Sequence, residues 1–194
     1  MVTGKSSFTP DYFERLYFKD ADPWMFATSE YERSKYEETI ALLGGRRFAH
    51  GFEVGCSIGI LTRMLASCCN SLLAADASEI ALGRARRNCS SIGNVTFERM
   101  HVPSKWPEKA FDLIVLSEVL YFLSPADIVT VASKSISSLD RNGLIVLVNW
   151  TGGTDYPCGG DEAAEIFLAR TVDVLKPPLQ RRREHYRIDV LTAA

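Results

Sequence analysis

The stretch Glu53-Val54-Gly55-Cys56-Ser57-Ile58-Gly59 carries the first chemical signal in this chain of 194 residues. Two glycines and a serine at alternate positions keep the backbone bare where a helix should begin, so a ligand can approach the amides closely. The spacing is not Gly-x-Gly-x-x-Gly, which argues against a dinucleotide pyrophosphate. Asp76 lies 21 residues beyond Gly55, an interval at which a strand-end acid accepts hydrogen bonds from the hydroxyls of a ribose. Alone, such an Asp would serve as a helix N-cap or a solvated turn; paired with the glycine turn it points to a nucleoside. The same residues also satisfy Gly-x-Ser-x-Gly, the nucleophile elbow of α/β-hydrolases, with His185 as a base. That rival puts the elbow after the first strand and leaves Glu53 and Asp76 without purpose.

The elements that must position these residues are legible as alternating apolar runs. FAHGFEV reads as a strand, ILTRMLASCC as a helix, SLLAAD as a strand, SEIALGRARRNC as a helix and VTFERM as a third strand. FDLIVLSEV is nearly continuously apolar, as strands covered on both faces are. Ser124-Pro125 with Asp127 starts a helix that runs to about Leu139, Asn142-Gly143 turns the chain, and LIVLVNW is a fifth strand. Strands alternating with helices predict a doubly wound, mostly parallel α/β sheet with right-handed crossovers. Such sheets take ligands beyond the C-terminal ends of their strands.

Before this core, residues 8–47 read as helical and aromatic. Ser29 and Glu32 have capping-box spacing, Tyr36, Ile40 and Leu43 share a helical face, and Gly44-Gly45 stops the helix. After the core, TGGTDYPCGGDE is a glycine-rich acidic loop and DEAAEIFLARTVDVL a helix ended by Pro177-Pro178. That leaves room for one strand or two short ones, so either the C-terminal sheet edge is reduced or the chain is shortened. The expected organisation is a single domain over 1–194. Residues 1–47 are a helical cap, 48–150 the core, and 151–194 a substrate-side loop, helix and edge strand.

Composition narrows the partners. With 46% hydrophobic residues, 24% charged and a net charge of −2, the chain is an ordinary globular one. No basic patch interleaved with aromatics predicts a nucleic-acid partner, and no apolar run predicts a membrane span. No secretory signal is legible at the N-terminus. Five cysteines without a Cys-x-x-Cys pair and three scattered histidines predict reduced thiols, no metal site and a cytoplasmic location. The run Arg181-Arg182-Arg183 reads as the solvated face of an edge strand.

FEVGCSIGILT, LLAADAS, FDLIVLSEVLYFL and LDRNGLIVL together resemble the ordered motifs of class I S-adenosylmethionine-dependent methyltransferases. The resemblance covers 48–150 and implies a Rossmann-like fold with S-adenosyl-L-methionine as cofactor and S-adenosyl-L-homocysteine as product. It would place Glu53, Gly55, Cys56, Ser57 and Gly59 around the methionine half and Asp76 on the ribose. Ala77 and Ser78 would then lie along the adenine, with Met100, His101 and Val102 against the ring. Ser117 and Glu118 would stand beside the transferable methyl. Two departures stand out. Ser57 replaces the usual middle glycine, and His101 replaces the usual acid.

Asp20-Ala21-Asp22-Pro23-Trp24, Tyr31 to Tyr36 and YRIDVL extend the likeness to the rhizobial nodulation N-methyltransferase (NodS) subgroup. That implies methylation of the free amine on the non-reducing glucosamine of a deacetylated chitooligosaccharide, in nodulation-signal synthesis. A neutral amine needs a carboxylate for its proton or for the developing charge. Glu118, with Tyr121 three residues on, is the candidate pair. Trp24, Tyr121 and Trp150 offer ring faces to a sugar, although Trp24, with Phe26, Tyr31 and Tyr36, can equally serve packing. Asp155, Asp161 or Glu162 can meet the amine. Another small N, O or S acceptor is the first alternative, and a cofactor-binding sensor without transfer is the second. No obligatory protein partner is expected.

Overall fold

The computed structural model describes residues 6–193, in two compact units with boundaries at residues 8/9 and 101/102. The first unit opens with helices α1 (Pro10–Lys19) and α2 (Glu30–Leu42). Strand β1 (Phe48–Val54), helix α3 (Ile60–Cys68), strand β2 (Cys69–Asp76), helix α4 (Glu79–Asn88) and strand β3 (Val95–Arg99) follow. Its three strands lie in the order β3-β2-β1, all parallel. Parallel neighbours need crossovers, and α3 and α4 supply them.

Local chemistry sets the helix ends. Pro10 sits in the first turn of α1, where its missing N–H costs nothing. Ser29 caps α2 by accepting from the Glu32 amide at 3.4 Å. Only that half of the expected capping box forms, because the Glu32 carboxylate turns to the buried Lys35 ammonium at 2.9 Å. Ser78 caps α4 by accepting from the Ala81 amide at 3.1 Å.

Helices α1 and α4 also cap each other. The Glu14 carboxylate of α1 takes the Ser78 hydroxyl and the Ile80 amide at the start of α4. In return, Arg84 of α4 donates to the carbonyls of Tyr17, Asp20 and Ala21 at 2.9, 3.1 and 3.2 Å, at the end of α1. An acid at one helix N-terminus and a cation at the other's C-terminus each oppose the local dipole favourably.

The second unit holds strand β4 (Phe111–Ser117), a 3₁₀ turn at Leu120–Phe122 and helix α5 (Pro125–Ser137). Strand β5 (Leu139–Trp150), helix α6 (Gly160–Ala169) and strands β6 (Leu179–Arg182) and β7 (Tyr186–Thr192) complete it. The order is β4-β5-β7-β6, with β4 and β5 parallel and β7 antiparallel to both its neighbours. Leu113, Ile114, Val115 and Leu116 of β4 are wholly buried, as the unbroken apolar run requires. The C-terminal edge therefore has both of its strands, and only β6 is short.

Two boundaries differ from the sequence expectation by more than two residues. β5 starts at Leu139, before Asn142-Gly143, because the turn is a bulge inside the strand. Phe111 pairs with Leu139, then Leu113 with Leu144, and Asn142 takes φ 61°. α6 stops at Ala169, well short of Pro177. There the Arg170 and Thr171 amides bond three residues back, and the Thr171 hydroxyl takes the Leu168 carbonyl at 2.8 Å. Among the described residues no helix is long and apolar enough to cross a membrane.

Candidate active site

The glycine loop follows β1 and consists of three left-handed residues in alternation: Gly55 at φ 76°, Ser57 at φ 50° and Gly59 at φ 84°. Gly59 is doubly constrained, since a Cβ there would also meet the Ala85 Cα at 3.1 Å. The amides of Gly55 and Cys56 both donate to the Ala75 carbonyl, at 2.8 and 2.9 Å, and Asn88 holds the Ile58 carbonyl at 2.8 Å. The loop is thus fastened at each end to β2 and α4.

Asp76 stands at the end of β2 as expected, buried, with one carboxylate oxygen on the Ser57 amide at 2.9 Å and the other on the Ser78 amide at 2.8 Å. Burial lifts its pKa to about 6, opposed by the amides of Ser78, Ser57 and Ala77. Each oxygen keeps a lone pair, so the donor-only hydroxyl protons of a ribose find acceptors of the right kind. Glu53 is buried at the loop entrance and accepts from the Thr62 hydroxyl at 2.6 Å; desolvation raises its pKa to about 7. Burial likewise pushes the Cys56 thiol up, which leaves it a small packed residue.

Of the other residues expected on this side, Met100 is buried and donates its amide to the Asp76 carbonyl at 2.9 Å. His101 is half-buried. Ala77 precedes the α4 cap, and its carbonyl accepts from Arg99 at 3.1 Å. The Ser78 hydroxyl donates to Glu14 and accepts from the Ala81 amide, so its one proton is spent on joining α1 to the α4 cap. Trp24 packs on the cluster of Tyr17, Ile58 and Ala81, edge-on to Tyr17 at 5.7 Å, and stacks on Phe26 at 5.5 Å.

Sequence reasoning missed the residues of α1 and α4 that reach this loop. Tyr17 is buried and donates its hydroxyl to Ser57 Oγ. Glu14, Arg84 and Asn88 were also unforeseen, as no local spacing links them to their partners. The Tyr17 contact bears on the hydrolase alternative. A nucleophilic serine needs a histidine base, whereas Ser57 faces a phenol, and His185 stacks on Trp150 at 5.2 Å with Glu184 at 3.6 Å.

In the second unit, Glu118 follows β4 at φ 58°, a conformation a non-glycine residue adopts at a cost of about 1–3 kcal/mol. Its Oε2 accepts from the Tyr121 hydroxyl at 2.7 Å and from the Trp150 amide at 2.8 Å. The expected pair is thus joined, and Trp150 contributes its backbone to it. Tyr121 is buried and stacks on Tyr156 at 5.5 Å and 13°. Ser117 and Val102 are buried. Asp155 is exposed on the glycine-rich loop. Asp161 is committed elsewhere, to Arg182 and Arg187, which hold its carboxyl below the usual range and remove it as an amine partner.

NodS from Bradyrhizobium japonicum WM9, crystallised with S-adenosyl-L-homocysteine, superposes with a TM-score of 0.81 at 22% identity, covering 94% of this chain and 97% of that one. The fold is that of class I S-adenosylmethionine-dependent methyltransferases. A family model described as Nodulation protein S (NodS) matches residues 11–148. The chain belongs to that family. Nodulation protein S of Rhizobium tropici is 34% identical over 103 residues, 53% of this chain and 43% of that protein. The chain thus aligns with less than half of that relative's length. The Sinorhizobium fredii protein is 30% identical over 156 residues, 79% of this chain and 72% of that one.

Proposed function

We propose that this protein transfers a methyl group from S-adenosyl-L-methionine to the free amine of the non-reducing glucosamine of a deacetylated chitooligosaccharide. The cofactor supplies an electrophilic methyl on a sulfonium. The first unit holds it: the loop from Glu53 to Gly59 cradles the methionine portion, Asp76 accepts from the ribose hydroxyls, and Ala77, Met100 and His101 border the adenine.

Glu118 carries the acceptor half of the reading. An ammonium cannot attack a methyl group, so the acceptor must shed one proton before transfer, and the positive charge that the sulfonium gives up then rests on the methylated nitrogen. A carboxylate locked by Tyr121 and the Trp150 amide, in a conformation that costs free energy, is suited to take that proton or to face the developing ammonium. The exposed Asp155 offers a negative charge, and the half-buried Trp150 a ring, to a polar, cationic sugar. Residence in the cytoplasm accords with the free thiols.

The test is transfer of labelled methyl by the purified protein to a chitooligosaccharide, fully acetylated or deacetylated at its non-reducing end. Label is expected on the deacetylated sugar alone. Label on neither, with S-adenosyl-L-homocysteine bound normally, would reject the sugar amine and favour another small acceptor.

A further inference from the structure

The glycine loop contains one residue that should resist its own backbone conformation. Gly55 and Gly59 adopt left-handed φ values freely, but Ser57, at φ 50° between them, carries a Cβ that clashes with the following carbonyl in that region. Ser57 also carries the amide that reaches Asp76 Oδ2 at 2.9 Å. Beyond it the Ile58 carbonyl is held by Asn88 and the Gly59 amide by the Cys56 carbonyl, so a Ser57 that relaxed to a right-handed or extended conformation would turn the peptide before it and take its N–H off the carboxylate.

What opposes that relaxation comes from α1. The Tyr17 hydroxyl donates to Ser57 Oγ from a buried position. Its ring is fixed by Trp24 at 5.7 Å and by Ile58 and Ala81. The helix that carries it is itself anchored, by Arg84 on the Tyr17, Asp20 and Ala21 carbonyls and by Glu14 at the start of α4. The donor therefore arrives on a rigid element, and little conformational entropy is lost in forming the bond. Burial also keeps the phenol protonated far above neutral pH, so it stays a donor.

We propose that Tyr17 is a positioning residue of the cofactor loop. Its hydroxyl holds Ser57 in the left-handed conformation and so keeps the Ser57 amide on Asp76. A serine takes the place of the loop's middle glycine here, and Tyr17 compensates for it from 40 residues away. The proposal rests on the cofactor reading given above, and it assigns Tyr17 no contact with the reacting atoms.

The experiment is a cycle of four proteins, wild type, Tyr17→Phe, Ser57→Gly and the double variant, with binding of S-adenosyl-L-homocysteine read by calorimetry. Phe preserves the packing on Trp24, and thermal unfolding checks that each variant is folded. One buried neutral hydrogen bond corresponds to roughly 2- to 12-fold in an equilibrium, so Tyr17→Phe is expected to weaken binding about tenfold. Whatever Ser57→Gly does to affinity on its own, adding Tyr17→Phe to it should change affinity less than twofold. Ser57→Ala, which keeps the Cβ and loses the acceptor, should reproduce the Tyr17→Phe loss. An equal loss in the serine and glycine backgrounds would overturn the proposal, because Tyr17 would then act by another route. So would wild-type affinity in Ser57→Ala.

Amide hydrogen exchange separates this result from the fate of the cofactor reading. In the free protein the Ser57 amide should exchange about tenfold faster in Tyr17→Phe and be protected again in the double variant. Should the wild type fail to bind S-adenosyl-L-homocysteine, the cofactor reading falls, and the exchange rates alone decide the role of Tyr17. An unchanged Ser57 rate in Tyr17→Phe would reject it.

Discussion

The Glu118 carboxylate and the Trp150 amide are joined at 2.8 Å, so the chain's candidate proton acceptor is held by the backbone of the neighbouring strand's last residue. A main-chain donor at the end of a buried strand cannot rotate away. The Tyr121 hydroxyl adds a second, side-chain hold on the same oxygen at 2.7 Å. A carboxylate restrained this way loses little freedom when a substrate amine arrives, which favours orientation as its contribution.

Replacing Glu118 with Gln should therefore lower turnover about a hundredfold, in the range of positioned acid–base groups. The affinity for S-adenosyl-L-homocysteine should stay within about threefold of wild type. Tyr121→Phe should lower turnover about tenfold, since the Trp150 amide still holds the carboxylate. Steady-state transfer rates and calorimetry on both variants check the split. A Glu118→Gln protein with normal turnover would return that residue to a structural role.

Stability should fall as pH rises from about 4 to about 7. Glu53 and Asp76 are buried acids whose folded pKa values, about 7 and about 6, lie above the ordinary 4.5 and 3.8. Between those limits the folded chain binds more protons than the unfolded one, so unfolding free energy decreases with pH. The Glu53 share is about 3 kcal/mol at most, lost between roughly pH 4.5 and pH 7. Denaturant titrations at pH 5 and pH 8 should show a smaller difference for Glu53→Gln than for wild type. Equal differences would mean that Glu53 is ionised in the folded protein.

Gly160 should tolerate no side chain. A Cβ there would stand 1.7 Å from the Trp150 carbonyl oxygen, which is backbone and cannot step aside. Gly160→Ala is expected to cost about 3 kcal/mol or more and to lower the midpoint of thermal unfolding by roughly 10 °C. Because Trp150 also holds Glu118, the surviving folded fraction should turn over more slowly at unchanged cofactor affinity. By contrast, Gly153 has open space around it, and its Ala variant should unfold within about 2 °C of wild type.

Short-range patterns made much of this molecule legible in the sequence. The strand–loop–helix signal around Glu53 to Gly59, the Asp76 strand end and the Ser124-Pro125-Asp127 helix start all depend on neighbours a few residues apart. Long-range partners gave no such signal. Tyr17 looked like one aromatic among many, and nothing near it names Ser57. Asp161 looked free to meet an amine because Arg182 and Arg187, its partners, come from the last two strands. The early end of α6 has a different, local cause. Thr171 closes the helix with its own hydroxyl, a local competition that the later prolines overshadow.

The connection between β5 and α6 is closed at its base on both sides. Thr151 bonds to the His185 carbonyl at 2.8 Å, and Gly160 is pressed on the Trp150 carbonyl. Residues 153–155, exposed between these anchors, therefore form an interchangeable tip, while Tyr156 stays stacked on Tyr121 and the Cys158 amide on the Tyr121 carbonyl. A different sequence or length can be grafted there to admit a different acceptor, while the carboxylate that Trp150 holds keeps its place.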